Sequence, residues 1–322
     1  MSDSEWIDAG AADDYVDGAV REIVNGKTRL AVSLRGESYA AISGVCNHVD
    51  GRILVRRTAS TSRGRKAHEP HPLARPLKRA EGPIRILGLS TTAMTAGEPR
   101  YSTSEDLLQH ALDRAREEHD CETQLLRIRD LKFRECEGFY SKSARACTWP
   151  CSITEMDASD QMDQVYEGVV HWADVILLAT PIRWGVASSL CFKMIERMNC
   201  IQNQETIANR HLLKNKVAGF IITGGQDNVQ AVAGQLPGFF GEIGCQFPQF
   251  PYIAHSRGWS AEDMERNMQH VRDSQSLHEG ASALAQRCAQ MAQLMITGTL
   301  GERALVRGGR KAHRLESGST PQ

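Results

Sequence analysis

Apolar runs of strand length recur through the centre of the chain, separated by segments with a helical repeat. The predicted strands are residues 84–90, 123–128, 174–180, 217–223 and 250–256. Between them, apolar side chains return every three or four residues, as in the segment 162–173. This alternation is typical of a parallel sheet with helical crossovers. We therefore predict an α/β fold over residues 83–297, a doubly wound five-stranded parallel sheet.

The chain on either side of this region has a different pattern. Residues 1–55 contain short alternating runs around Asn25-Gly26, which predict a small β segment with a hairpin turn. Residues 56–82 are basic and contain several prolines, which favours a linker. Residues 298–322 are similar in character, and we expect a disordered tail.

The composition and charge give no support for a nucleic-acid-binding, membrane-spanning or disulfide-rich protein. The 322 residues carry a formal net charge of -1, which gives no global reason to expect a nucleic-acid or membrane partner. No apolar run approaches the roughly 20 residues that a membrane span needs, and the first residues lack a targeting pattern. The nine cysteines, an odd number, fit reduced thiols or redox chemistry better than a disulfide framework. A cytoplasmic protein is the expectation.

Hydroxyl-bearing residues follow the first predicted strand, at the sheet edge where doubly wound folds bind ligands. The strand ends at Ser90, and Thr92 comes two residues later. Ser102, Thr103 and Ser104 then precede a predicted helix. Hydroxyls beside a helix start suit a phosphate group. Ordinary N-capping by Ser102 or Ser104 is an equally open interpretation.

Two further strand ends provide an aromatic side chain, a proline and glycines. These features suit a platform for a planar ring, because glycine lets the backbone approach a ligand closely. The candidate binding residues in these loops are Thr180, Pro181, Ile182, Arg183, Trp184, Gly185, Thr223, Gly224 and Gly225.

With these loops, residues 83–295 resemble the flavodoxin-like NADPH-dependent FMN reductases and iron-sulfur flavoproteins. Ser90 matches the first serine of the family's phosphate loop, and Thr103 and Ser104 stand where its Asn-Thr pair falls. The run ATPIRWGVASS is similar to the family's loop along the flavin ring, and the Thr-Gly-Gly after the fourth strand matches its third flavin loop. The resemblance implies FMN as cofactor and NAD(P)H as co-substrate.

The implied function is an oxidoreductase that passes electrons from a nicotinamide cofactor through flavin to a quinone, flavin, nitro or protein acceptor. Arg183 and Trp184 are the candidate catalytic residues, with Arg183 stabilising negative charge on the flavin or on a nicotinamide-cofactor phosphate. A surface salt bridge is the alternative role for Arg183. The resemblance also implies a homodimer or homotetramer. Two other functions stay open: a flavodoxin-type electron-transfer protein, and a binding protein that has lost its cofactor.

Two groups of residues raise the question of an iron-sulfur cluster. Cys136, Cys147 and Cys151 follow the second strand, where iron-sulfur flavoproteins carry a four-cysteine motif. Three thiolates are too few for a four-iron cluster, so structural or redox-active thiols are the favoured interpretation. Cys46 and His48 resemble the first ligand loop of a Rieske domain, but the second Cys-x-x-His is missing. We expect an incomplete Rieske-like segment without a two-iron cluster.

Overall fold

The fold is known from a computed structural model. The structure describes residues 11, 14–17, 20–25, 28–35, 38–43, 71–79, 81–94, 101–224, 228–258 and 260–298. The chain divides into two compact units, residues 1–69 and residues 70–322.

The first unit contains a three-stranded antiparallel sheet. Its strands are β1 (Val20–Asn25), β2 (Thr28–Arg35) and β3 (Ser38–Ser43), in the order β1-β2-β3. Each strand follows its neighbour after two residues, the spacing of a tight hairpin. Cys46 and His48 lie outside the described residues, so their role as ligands stays a prediction.

The second unit is built on a five-stranded parallel sheet. Its strands are β4 (Arg85–Ser90), β5 (Glu122–Arg127), β6 (Val175–Arg183), β8 (Val217–Gly224) and β9 (Tyr252–Ser256), with the short β7 (Val186–Ala187) antiparallel to the end of β6. The order is β5-β4-β6-β8-β9, and the pairs along it are parallel. This confirms the predicted doubly wound, flavodoxin-like sheet.

Helices cover both faces of this sheet. They are α1 (Thr103–His119), α2 (Phe139–Lys142), α3 (Ser152–Met156), α4 (Met162–Tyr166), α5 (Ser189–Arg197), α6 (Asn199–Ala208), α7 (Val229–Glu242), α8 (Ala261–Asp273) and α9 (Gln275–Ile296). The helices α1 and α9 share one apolar core with the sheet, and α4 to α7 share the other. Among the residues that the structure describes, no helix is both long and apolar enough to cross a membrane.

The predicted helix over 162–173 is present, but it changes type midway. The α-helix α4 ends at Tyr166, and a π-helix continues over Glu167–Trp172. The apolar side chains that predicted one buried face are all buried, including Val169 and Val170.

Residues 71–79, assigned above to a linker, belong to the second unit and pack against its other elements. Leu73 is buried at 3% exposure, and its carbonyl oxygen accepts a hydrogen bond from Trp149 Nε1 at 3.1 Å. Arg79 Nε lies 2.8 Å from Asp174 Oδ1. The segment is ordered by acidic and aromatic partners far away in sequence, which local composition does not reveal. Of the predicted tail, residues 299–322 lie outside the described part of the chain.

Candidate functional site

The carboxyl ends of β4, β6 and β8 meet at one edge of the parallel sheet, and a cleft of about 220 Å³ opens beside them. This volume is below the roughly 300 Å³ at which whole-ligand pockets usually begin, so the cleft has room for only part of a drug-sized ligand. It brings together the predicted residues Ser102, Thr103, Pro181, Ile182, Arg183, Thr223 and Gly224.

Two threonines join the start of α1 to the end of β8. Thr103 Oγ1 lies 2.7 Å from Thr223 Oγ1, which places both hydroxyls at the cleft. Next to them, a Cβ atom on Gly224 would lie 2.8 Å from Ile182 Cβ. Only glycine allows the ends of β6 and β8 to approach this closely.

Within the described part of the chain, the N-cap side chain of helix α1 does not bond to the backbone N–H groups of the first turn. Ser102 occupies the N-cap position, yet among the described residues its hydroxyl makes no capping hydrogen bond to the helix and instead lies 3.3 Å from Ser104 Oγ. The capping interpretation is therefore wrong for Ser102. An uncapped first turn presents backbone N–H groups and the positive end of the helix dipole, which together suit an anion.

Ser90, predicted to contact phosphate, is buried behind this helix start. Its hydroxyl donates a 2.5 Å hydrogen bond to Glu105 Oε2. Glu105 also accepts hydrogen bonds from Arg127 Nε at 2.7 Å and from Arg129 Nη1 at 2.5 Å. Burial alone would raise the pKa of Glu105, but the bonds from Arg129, Ser90 and Arg127 outweigh it and lower the pKa to about 2. Arg129 is also within 3.6 Å of Asp130 Oδ1, so two guanidinium groups and two carboxylates form one ion-pair cluster beside the start of α1.

Three other predicted residues support the loops from inside. Thr92, Ser104 and Thr180 are fully buried or nearly so. Thr180 Oγ1 accepts a hydrogen bond from the Ser188 backbone N–H at 3.1 Å, and Thr92 Oγ1 accepts one from Met94 at 3.2 Å. The hydroxyl groups of Thr92 and Thr180 therefore hold loop backbone, whereas that of Ser104 lies against Ser102 Oγ. The role of all three toward a cofactor stays a prediction.

The turn between β6 and β7 presents the two candidate catalytic residues differently. Arg183 lines the cleft, whereas Trp184 is 92% exposed and has a φ of 52°. Gly185 follows with a φ of 72°, and its carbonyl oxygen accepts a 2.7 Å hydrogen bond from Asn228 Nδ2. Trp184 therefore faces solvent and is not among the residues that line the cleft. Gly225 lies outside the described residues.

The opposite wall of the cleft was not foreseen from the sequence. It consists of Met94, Tyr101, Met264, Glu265, Asn267 and Met268, the last four from α8. Asn267 anchors this wall, because its Nδ2 donates to the Gly224 carbonyl oxygen at 3.3 Å and its Oδ1 lies 2.8 Å from His255 Nε2. The sequence signals were Ser260, which caps α8 through Asp263 N, and two methionines four residues apart.

The cysteines predicted as possible cluster ligands lie elsewhere. Cys147 and Cys151 are buried, and Cys136 is half-buried. Within the described ranges, no group of three His, Cys, Asp or Glu side chains is arranged to hold a metal ion. Cys121 belongs to the core beneath α1, on the other face of the sheet from Cys147 and Cys151.

Larger cavities than the cleft are present away from the strand ends. One of about 640 Å³ lies near Cys136 and Phe239, and another of about 510 Å³ borders β5 and the π-helix. We place the candidate site at the smaller cleft because it alone, among these three described cavities, combines the ends of β6 and β8 with the start of α1.

The strand order and the strand-end cleft define a flavodoxin-like α/β protein. Residues 91–260, just over half of the chain, match the family described as NADPH-dependent FMN reductase. The chain belongs to that family.

One known protein is similar to this chain in sequence, and one solved structure is similar to it in fold. The 8-demethyl-8-aminoriboflavin-5'-phosphate synthase of Streptomyces davaonensis is 25% identical over 178 residues, which cover 51% of this chain and 60% of that protein. RosB, solved with bound 8-demethyl-8-formylriboflavin-5'-phosphate, aligns with a TM-score of 0.58 at 18% identity over 74% of this chain and 89% of that chain. The likeness to RosB shows the shared fold.

Proposed function

We propose that the chain is an FMN-dependent NAD(P)H oxidoreductase that passes electrons to a quinone, flavin, nitro or protein acceptor. The observation that carries this proposal is the uncapped start of α1 beside the strand-end cleft. A phosphate-bearing planar ligand matches both parts, because the helix start offers N–H donors and the cleft offers apolar walls. Membership in the FMN reductase family supports the same ligand.

The residues have distinct roles in this proposal. The first turn of α1, with the hydroxyls of Thr103 and Thr223, would hold the phosphate end of FMN. Bound FMN supplies the hydride chemistry itself, so no catalytic side-chain triad is required. Arg183 at the cleft would stabilise negative charge at the ring. The two methionines of α8 would exclude water from one side.

A second candidate function is favoured by the curated relative. That protein is named as a synthase of an 8-amino flavin phosphate, and the RosB structure contains an 8-formyl flavin phosphate. In this alternative, the same cleft binds a flavin phosphate as the substrate to be altered and not as a retained cofactor. The groups that recognise the ligand are the same, so geometry alone does not separate the two functions.

The test is FMN binding followed by NADPH oxidation with a quinone acceptor. We expect bound flavin, and turnover with NADPH or NADH. Thr223→Val removes the hydroxyl that meets Thr103 and should weaken FMN binding about tenfold, equivalent to about 1.4 kcal/mol. Thr206→Val, on the exposed surface of α6, is the matched control and should bind FMN normally.

The outcomes separate the candidates. Recovered FMN of unchanged mass after many turnovers supports the oxidoreductase. A flavin whose mass has changed by replacement of its 8-methyl group supports the second candidate. Slow NAD(P)H oxidation together with a stabilised one-electron-reduced flavin would indicate an electron carrier, and failure to bind any flavin phosphate would contradict all three.

A further inference from the structure

A further cavity lies at the amino ends of the parallel strands, the edge of the sheet opposite the strand-end cleft. It has a volume of about 390 Å³ and borders Asp174 and Lys216, the residues that directly precede β6 and β8. This volume exceeds the roughly 300 Å³ at which whole-ligand pockets usually begin. The cavity is therefore large enough for a ligand of its own, apart from the candidate flavin site.

Positive charge dominates the lining of this cavity, which we call the basic cavity. Four cationic side chains line it against one carboxylate, Asp174, and two histidines add to the basic set: Lys78, Arg79, Lys214, Lys216, His171 and His211. Arg79 already binds Asp174, through Nε at 2.8 Å and through Nη2 at 3.0 Å. A neighbouring carboxylate, Glu205, lies 3.6 Å from His211 Nδ1. Among the described residues, these contacts leave Lys78 and Lys216 without a carboxylate at ion-pair distance.

Lys216 is the most enclosed of the four cations. A turn with Asn215 at a φ of 63° directs the chain into β8 and brings Lys214 and Lys216 to the same cavity. Lys216 is half-buried, whereas Lys78, Arg79 and Lys214 are exposed. Its Nζ donates a hydrogen bond to the Ala173 carbonyl oxygen, which is a neutral acceptor. An anion in the cavity would give this enclosed ammonium group a charged partner.

Apolar side chains complete the lining of the basic cavity. Leu77, Trp172, Leu212 and Ile296 lie there, and Leu77 is 40% exposed. Inorganic phosphate would leave these apolar groups in contact with water, whereas the body of an organic molecule would cover them. The lining therefore suits an anion that carries an apolar body.

We propose that the basic cavity binds a phosphorylated small molecule, with its phosphate group held by Lys216 and Lys78 and its organic body against Leu77 and Ile296. A phosphate monoester carries nearly two negative charges at neutral pH, and lysine is a common phosphate ligand. None of the described residues that line this cavity also lines the strand-end cleft. The site therefore adds to the proposed oxidoreductase function and does not depend on it.

The test treats the full-length protein with pyridoxal 5'-phosphate at pH 7, reduces it with borohydride, and maps the modified peptides by mass spectrometry. The aldehyde condenses with a neutral lysine amine and loses water, and reduction converts the imine into a stable secondary amine. Burial lowers the pKa of Lys216 to about 8, so about a tenth of this amine is neutral at pH 7.

We expect pyridoxal 5'-phosphate to modify Lys216 at least about ten times faster than the exposed Lys132. Pyridoxal, which lacks the phosphate, should modify Lys216 about tenfold more slowly. Lys78→Met should slow the phosphate-dependent modification of Lys216 about threefold, because one exposed charge is lost. Lys142→Met, at an exposed position of α2 away from this lining, is the matched control and should leave that rate unchanged.

Three results would overturn the proposal. Equal rates for pyridoxal 5'-phosphate and pyridoxal at Lys216 would show that its reactivity comes from the amine alone. Modification of Lys132 as fast as that of Lys216, or a Lys78→Met protein with an unchanged rate, would remove the basic cavity as the phosphate site. The comparison of the two aldehydes needs no variant, so a variant that fails to fold does not weaken it. Flavin binding does not enter the readout, since no lysine is among the described residues that line the strand-end cleft.

Discussion

Glu105 shows how a single buried carboxylate sets the charge beside the candidate phosphate site. Because its folded-state pKa is about 2 against an ordinary 4.5, its ionisation stabilises the fold above pH 4.5. That contribution is lost as the pH falls from about 4.5 to about 2. We expect Glu105→Gln to lower the free energy of unfolding at pH 7 by about 2 kcal/mol, and to flatten its pH dependence in this window. Urea unfolding of both proteins, measured from about pH 2 to pH 7, tests this prediction.

Glu117→Gln on the exposed side of the same helix is the control. Its carboxylate lies 3.9 Å from Arg114 at the surface, where ion pairs contribute little. If the Glu105→Gln and Glu117→Gln proteins lost stability equally, the cluster around Ser90 and Arg129 would not be the source of the effect.

At the level of single residues, the sequence predicted which segments form the site better than it predicted each side chain's role. Thr103 and Thr223 were both foreseen, but the 2.7 Å contact between them was not, because 120 residues separate them. Ser90 matched a sequence pattern for phosphate binding, yet its hydroxyl is taken by Glu105. Local patterns identify strand ends, whereas competing buried partners decide which hydroxyl remains available.

At the level of elements, the centre of the sheet was predictable because β4, β6 and β8 are continuous apolar runs that are buried on both faces. The packing of segment 71–79 was not predictable, because it depends on contacts with Asp174 and Trp149, which are far away in the sequence. The helix α8 was missed for a related reason: only Asn267 and Val271 of its residues are buried, so its apolar repeat is weak.

The contact between α1 and β4 gives a prediction at this scale. A Cβ atom on Gly88 would lie 2.6 Å from Leu112 Cδ1 and 3.3 Å from Leu108 Cδ1, and both leucines are fully buried. We expect Gly88→Ala to destabilise the protein by about 1–3 kcal/mol through overpacking. Chemical denaturation at neutral pH measures the change.

Gly234→Ala is the matched control, since nothing lies within 4 Å of a Cβ atom there and the residue sits inside the helix α7. Replacing a helical glycine by alanine at an open position should stabilise the protein by up to about 1 kcal/mol. If Gly88→Ala lowers the free energy of unfolding and Gly234→Ala raises it, the backbone at Gly88 is closely packed. If Gly88→Ala leaves the free energy of unfolding unchanged, the Leu112 side chain moves aside without loss of stability.

For the whole molecule, the division into two units makes flavin binding separable from residues 1–69. Every described residue that lines the strand-end cleft belongs to residues 70–322. A chain limited to residues 70–322 should therefore bind FMN as tightly as the full chain. At an FMN concentration of 100 times Kd, linkage stabilises either chain by about 2.7 kcal/mol, which corresponds to a Tm increase of about 5–10 °C.

Differential scanning fluorimetry on both chains, with and without FMN, measures this increase, and Thr223→Val at the same FMN concentration should show a smaller one. Equal increases in the two chains would locate the whole binding site in residues 70–322, as the cleft geometry requires. A larger increase in the full chain would instead show that residues 1–69 contact FMN or order the loops around it. In that case the first unit would contribute to the flavin site directly, and its hydroxyl and basic side chains would be the next to substitute.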